Sequence, residues 1–295
     1  MVGKEENWPL VGFTALSPIA IGGLVGLLAI RGTPRLGIDW NAVTLLAMAL
    51  LALGASSLHL GRPLRAYRSV ARLSTSWLSR EVALFGIFVL LLATYAFSPY
   101  VGVCDDRRGM LGIVASMVGG LSLWATGEVY RLPSRPAWNH WRTIASLVLG
   151  ALGPGLLLGF FLGQRGSMGT SGAGPAAAMA ISVVALLLGA AITCLRARRP
   201  EPGRAEEYAA WQVVIGPCRW HLALRIGGAL AAFGLLLASG SLSTIAWIPA
   251  AIGEIADRAL FFRAVVPVSM ARRAGVSPFE PVPVVDTPAP RFPGE

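Results

Sequence analysis

Residues 57–85 read S-L-H-L-G-R-P-L-R-A-Y-R-S-V-A-R-L-S-T-S-W-L-S-R-E-V-A-L-F. An apolar run ends here in His59. A loop carrying Arg62, Arg65, Arg68 and Arg72 follows, and a second apolar run opens with Arg80 and Glu81. Two groups that take up protons, His59 and Glu81, therefore stand at the ends of neighbouring hydrophobic segments, beside dense positive charge. Runs of this kind are continuous rather than alternating, so they predict helices and not membrane strands.

The same pattern extends outward through the 295 residues, of which 55% are hydrophobic and 14% charged. A water-soluble domain carries about 25% charged residues, so the composition is that of an integral membrane protein. A bilayer core takes roughly 20 apolar residues in a helix. Eight segments fit: Leu10–Ile30, Ala42–Leu60, Leu78–Phe97, Met110–Tyr130, Thr143–Gly163, Pro175–Leu195, Leu222–Ser239 and Thr244–Val266. The seventh is short and carries Arg225. The expected fold is all-α, an eight-helix bundle over residues 1–274 with both termini on one side. The Pro-rich tail 275–295 is expected to be extended or disordered. MVGKEENWPL lacks the basic-then-apolar pattern of a cleavable signal, so the first helix is expected to be retained.

Between the sixth and seventh segments, A-E-E-Y-A-A-W-Q-V-V reads as a short interfacial helix with Tyr208 and Trp211 at headgroup level. Gly119–Gly120 and Gly150–Gly155, with Pro154, mark places of close packing or kinking.

Eight spans place the termini and the loops after the second, fourth and sixth helices on one side, here the even side. Only Arg31, Arg35, Arg107, Arg108 and Arg165, five of the 25 Lys and Arg, fall on the odd side. This bias puts the even side in the cytoplasm of a bacterial cytoplasmic (inner) membrane. The net charge of +10 reflects that bias and not nucleic-acid binding.

All three histidines, His59, His140 and His221, fall on the even side. So do Glu81, Glu128, Glu254 and Asp257, while the other half of the bundle reads as almost purely apolar. Ionisable groups in membrane spans are costly and are usually functional. Their gathering in one leaflet suits a pocket better than a path through the membrane. A lipid-soluble hydroquinone gives up two electrons and two protons, and His59 and Glu81 could receive the protons. Read by position alone, His59 is equally a helix-end histidine bonded to a carbonyl, and Glu81 an acid favoured by a helix start. No histidine lies well inside a span, which argues against haem. Cys104, Cys194 and Cys218 lack CxxC spacing, which argues against an iron–sulfur cluster or other metal in this chain. Trp138 and Trp141, flanking His140, read as an interface belt, as does Trp220.

S-L-H-L-G-R-P-L-R-A-Y followed by S-W-L-S-R-E resembles the membrane anchor subunit of bacterial dimethyl sulfoxide reductase and its relatives. G-E-I-A-D-R-A-L-F-F is similar to the final helix of that family, and Tyr130 to Trp138 to its Y-x-x-P-x-x-P-x-W element with altered spacing. The resemblance implies a subunit without haem or cluster that anchors a molybdopterin catalytic subunit and a four-cluster ferredoxin-like iron–sulfur subunit. It implies electron exchange with menaquinone or ubiquinone. The functional histidine and glutamate of the family map onto His59 and Glu81. Arg62, Arg65, Ser79, Arg80, Glu128 and Glu254 are the further candidates for lining the quinone site. Arg62, Arg65, Arg68 and Arg72 are candidates for docking the partner, or else a cytoplasmic anchor. Two other readings use the same residues: a proton-coupled transporter of a small solute, and a purely structural anchor.

Overall fold

In the computed structural model, residues 7–30, 38–58, 72–164, 173–200, 205–238 and 240–265 are described, and helices are their only regular structure. In chain order these are α1 (Trp8–Ile30), α2 (Trp40–Leu58), α3 (Trp77–Ala96), α4 (Asp105–Tyr130), α5 (Trp141–Gln164), α6 (Ala173–Arg196), α7 (Ala205–Ile215), α8 (Arg219–Leu237) and α9 (Trp247–Arg263). All but α7 and α9 are long and apolar enough to cross a membrane, which makes seven such helices. The eighth expected segment corresponds to α9. It falls short of that measure because it has 17 residues and carries Glu254, Asp257, Arg258 and Arg263. The segment with Arg225, expected to be the weakest, qualifies as α8. The proline-rich tail lies outside the described residues.

The bundle is built around α1, whose most apolar stretch is 78% buried. It packs against α2, α4, α5, α6 and α9. Its glycines allow this. A Cβ on Gly22 would overlap the Ala151 carbonyl oxygen of α5, and a Cβ on Gly159 of α5 would overlap that of Gly23. With no hydrophobic drive between helices in lipid, such backbone-to-backbone approach supplies van der Waals contact. Pro154 lacks the N–H that an α-helix needs, and Ala151–Gly155 passes through a π-helical turn there. The kink expected at this proline is thus a widened turn seated on α1. Gly119 is packed against Ile21 and Phe88, whereas Gly120 has open space beside it, so only one of that pair serves close packing.

The expected interfacial helix is α7. Trp211 Nε1 donates to the Ala197 carbonyl at 2.8 Å, tying α7 back to the end of α6.

At the odd end the expectation of an almost purely apolar half is corrected. Asp39 and Arg108 form a buried ion pair at 2.7 Å. Asp39 Oδ1 also accepts from the backbone N–H groups of Asn41 and Ala42, capping α2, and its own N–H donates to the Ala96 carbonyl at the end of α3. The Arg108 guanidinium lies 4.8 Å from the Tyr95 ring centroid. The pair therefore fastens α2, α3 and α4 at one end of the bundle. Asp39 gave no signal in the sequence because it sits outside every apolar run.

Gly159→Ala is expected to lower stability by about 1–3 kcal/mol, since backbone must move to admit the methyl group. Gly120→Ala is the matched control and should leave stability unchanged or slightly raised. Thermal unfolding of the two purified variants in one detergent checks both.

Candidate functional site

The Ser76 hydroxyl caps α3 by accepting from Ser79 N–H at 3.3 Å. Glu81 therefore enters on the second turn, about 6 Å inside the helix start. It is 5% exposed and faces α4, where the Thr126 hydroxyl is its hydrogen-bond partner. Tyr130 stands one turn beyond Thr126. Its phenol lies within the electrostatic reach of Glu81 on one side and of Arg258 from α9 on the other.

Tyr130 is held in an aromatic box. Its ring meets Trp138, Phe261 and Phe262 edge-on at centroid distances of 5.3, 5.5 and 5.5 Å. Trp138 stacks on Phe261 at 5.0 Å and donates from Nε1 to the Phe261 carbonyl at 2.9 Å. Trp138 is thus a buried wall of this corner, which corrects the belt expected there. Its partner in that reading, Trp141, is exposed, and so is Trp220. An indole with its N–H satisfied inside the protein loses nothing by burial.

Beyond the box lies a buried ionic network. The Glu254 carboxylate is fully buried between Arg225 Nη1 at 3.0 Å and Arg258 Nε at 2.8 Å. Arg258 Nη2 also donates to the Ser146 carbonyl of α5 at 2.6 Å. Asp257 accepts from the Thr193 hydroxyl at 2.7 Å and pairs with Arg196 at 3.1 Å. Glu254, Asp257, Arg225 and Arg258 are each no more than 2% exposed. Charges this deep persist only when paired and hydrogen-bonded.

The proposed lining residues divide accordingly. Glu81 faces the Tyr130 corner, and Glu254 reaches it only through Arg258. Ser79 is buried on α3, its backbone taken up by the cap. Arg80 turns away from that corner: it donates to the carbonyls of Leu73 and Ser74 and lies 4.3 Å over the Trp77 ring, closing the loop before α3. Glu128 pairs with Arg131 at 2.8 Å. Two residues from both Thr126 and Tyr130, it projects from the other side of α4. Arg72 is exposed. His59, Arg62, Arg65 and Arg68 lie outside the described residues.

His140 caps α5, its Nδ1 accepting from Arg142 N–H at 3.2 Å. Partial burial, then the positive charges of Arg142, Arg131 and Arg196, hold its pKa below the ordinary 6.5, with Glu207 opposing them. Both the cap and the arginines favour the neutral ring. Among the described residues, no group of three His, Cys, Asp or Glu side chains could hold a metal ion.

Residues 1–199 match the family described as DMSO reductase anchor subunit (DmsC). The chain belongs to this family. Thr126, Tyr130 and the Glu81 motif fall inside the matched region, and α8 and α9 beyond it. The sequence is 32% identical to a chain of the anaerobic dimethyl sulfoxide reductase of Haemophilus influenzae over 154 residues, 49% of this protein and 55% of that one. Similarity to a chain of the anaerobic dimethyl sulfoxide reductase of Escherichia coli K12 is 26% identity over 295 aligned positions, covering 90% and 97% of the two proteins. A shorter stretch of 60 residues is 52% identical to a subunit of the sulfite dehydrogenase of Allochromatium vinosum, covering 20% and 18%. No solved structure matches the chain.

Sequence reading passed over Thr126, Arg225, Arg258 and Tyr130 as members of this corner. The available signal was Arg225 itself, an arginine in an apolar span, which requires a buried acid nearby.

Arg225→Leu is expected to destabilise the protein by about 3–5 kcal/mol, because it strands Glu254 beside a single arginine. The double variant Arg225→Leu with Glu254→Leu should recover much of that loss. A double-mutant cycle on denaturation midpoints reads the coupling. Since His140 is held neutral in the fold, stability should fall as pH drops from about 6.5 through its lowered value, the unfolded chain taking the proton first. His140→Asn, which keeps an acceptor for the cap, should flatten that fall in thermal midpoints measured between pH 7.5 and 5.5 (about two units across the ordinary histidine range).

Proposed function

We propose that this chain is the membrane anchor of a molybdopterin oxidoreductase complex, and that it exchanges protons and electrons with a quinone at the corner around Glu81. One observation carries the proposal. Asp39, Glu128, Glu254 and Asp257 each have an arginine within ion-pair distance, whereas Glu81, 5% exposed, has no cationic partner among the described residues. A carboxyl fixed between arginines is committed to its charge. Glu81 is not, so it is the buried acid of this bundle free to change protonation state.

The surroundings fit a quinone as substrate. Tyr130 offers a phenolic hydroxyl, Trp138, Phe261 and Phe262 offer aromatic walls, and Glu81 offers a proton acceptor. In the oxidising direction a hydroquinone releases two protons and two electrons. Glu81 takes one proton and His59, at the same end by sequence, takes the other. The electrons pass to a docked iron–sulfur subunit, and quinone reduction reverses each transfer. The names of the relatives, dimethyl sulfoxide reductase on one hand and sulfite dehydrogenase on the other, support reactions of sulfur compounds at the catalytic subunit.

In this reading α9 is the eighth span, its charges neutralised internally by Arg225, Arg196 and Thr193. Both termini then share the cytoplasmic side with the proposed site. Arg72, Arg131, Arg198, Arg199 and Arg219 are exposed at that end and, with Arg62, Arg65 and Arg68, suit an acidic partner.

His59→Ala and Glu81→Gln in the assembled complex should each lower quinol-coupled turnover at least tenfold, a transition-state loss of about 1.4 kcal/mol or more. Activity with a soluble dye, which bypasses the anchor, should remain. Full quinol turnover in both variants would leave the chain a structural anchor only.

A further inference from the structure

The inference rests on the proposed quinone site and concerns how Glu81 is held within it. Thr126 Oγ1 is buried, and its one proton is donated to the Ser122 carbonyl at 3.0 Å. Ser122 in turn donates to the Gly119 carbonyl at 2.7 Å. The Thr126 hydroxyl also meets the Glu81 carboxyl. A hydroxyl has one donor and two acceptor sites. While its proton points to Ser122, it presents lone pairs to Glu81 and can only accept, which requires a protonated carboxyl. Once Glu81 is ionised, the same hydroxyl can turn and donate to it. The Ser122 carbonyl then keeps its ordinary helical N–H bond, so the turn leaves no backbone group orphaned.

We propose that Thr126 is the positioning residue for Glu81, its hydroxyl turning between the Ser122 carbonyl and the Glu81 carboxylate as the carboxyl gains and loses a proton. Thr126 keeps its own proton throughout. The transferred proton moves only between the quinol oxygen and Glu81. The hydroxyl thus holds the acid in one place in both charge states, which a cation could not do without fixing the charge.

Other groups facing Glu81 are few. The described residues of α2 hold no titratable side chain, and neither does α1. On α4, Tyr130 faces the site and Glu128 turns away to Arg131. Arg258 of α9 acts from beyond Tyr130. Arg80, next to Glu81, is spent on loop carbonyls.

The test uses the full complex with Thr126→Val, which removes the hydroxyl at nearly constant shape, and Thr126→Ser, which restores it. Infrared difference spectra identify the protonated carboxyl band of Glu81 by its absence in Glu81→Gln. The expected result is a band moved to higher frequency in Thr126→Val and returned in Thr126→Ser. The pH profile of quinol turnover should be displaced by about one unit in the valine variant alone, the size expected for one hydrogen bond to a charged group. An unmoved band overturns the proposal. A moved band with an unchanged pH profile overturns the positioning role, provided Glu81→Gln abolishes turnover. If Glu81→Gln keeps full turnover, the quinone reading of Glu81 fails, and the band still decides the hydrogen bond.

Discussion

A carboxylate without water must find its counter-charge inside the protein, and Glu254 finds it twice. Arg225 reaches it from α8 and Arg258 from one turn along its own helix. Much else follows from that arrangement. Arg258 is then oriented to reach Ser146 of α5, and Asp257, the neighbouring residue, engages Thr193 and Arg196 of α6. Four helices meet through one ionic knot. The next turn of α9 carries Phe261 and Phe262 into the aromatic box and so places Tyr130 opposite Glu81. Ion pairs in an apolar interior contribute little net stability but are severely damaging to break singly. The knot is better understood as a specification of which helices meet, and at which height.

The other organising element is apolar. α1 threads the bundle, and its glycines let α5 approach backbone to backbone. Polar fixtures stand at both ends of this dry centre: the Asp39–Arg108 pair at one, the Glu254 and Asp257 network with Glu81 at the other. Nothing ionisable bridges them along α1, whose sequence holds no titratable side chain. That distribution favours chemistry at one face over passage of an ion from side to side.

Much of this was legible in the residues. Continuous apolar runs gave the helices, Pro154 gave the irregularity in α5, and the one-ended distribution of Glu81, Glu254 and Asp257 gave the location of the polar corner. Partnership was not legible. Spacing along the chain cannot say that Glu254 is bound between Arg225 and Arg258 while Glu81 meets only a hydroxyl, because those contacts join helices far apart in sequence. Trp138 misled for a related reason: beside an exposed Trp141 it has the composition of a belt, and only the Phe261 carbonyl shows that its indole points inward. Asp39 was overlooked because its partner, Arg108, begins a helix 69 residues later.

Gly150 and Gly189 carry the longest shadow of the ionic knot. A methyl group at Gly150 would come within 2.5 Å of Glu254 Oε1, and one at Gly189 would collide with the Arg225 guanidinium. Each glycine is a notch cut for a charged group on another helix. In evolutionary terms these four positions drift as one: a lineage that loses the acid frees the notch to refill, and one that refills the notch first must already have lost the acid. Order of substitution, and not only tolerance at each site, is therefore written into the packing.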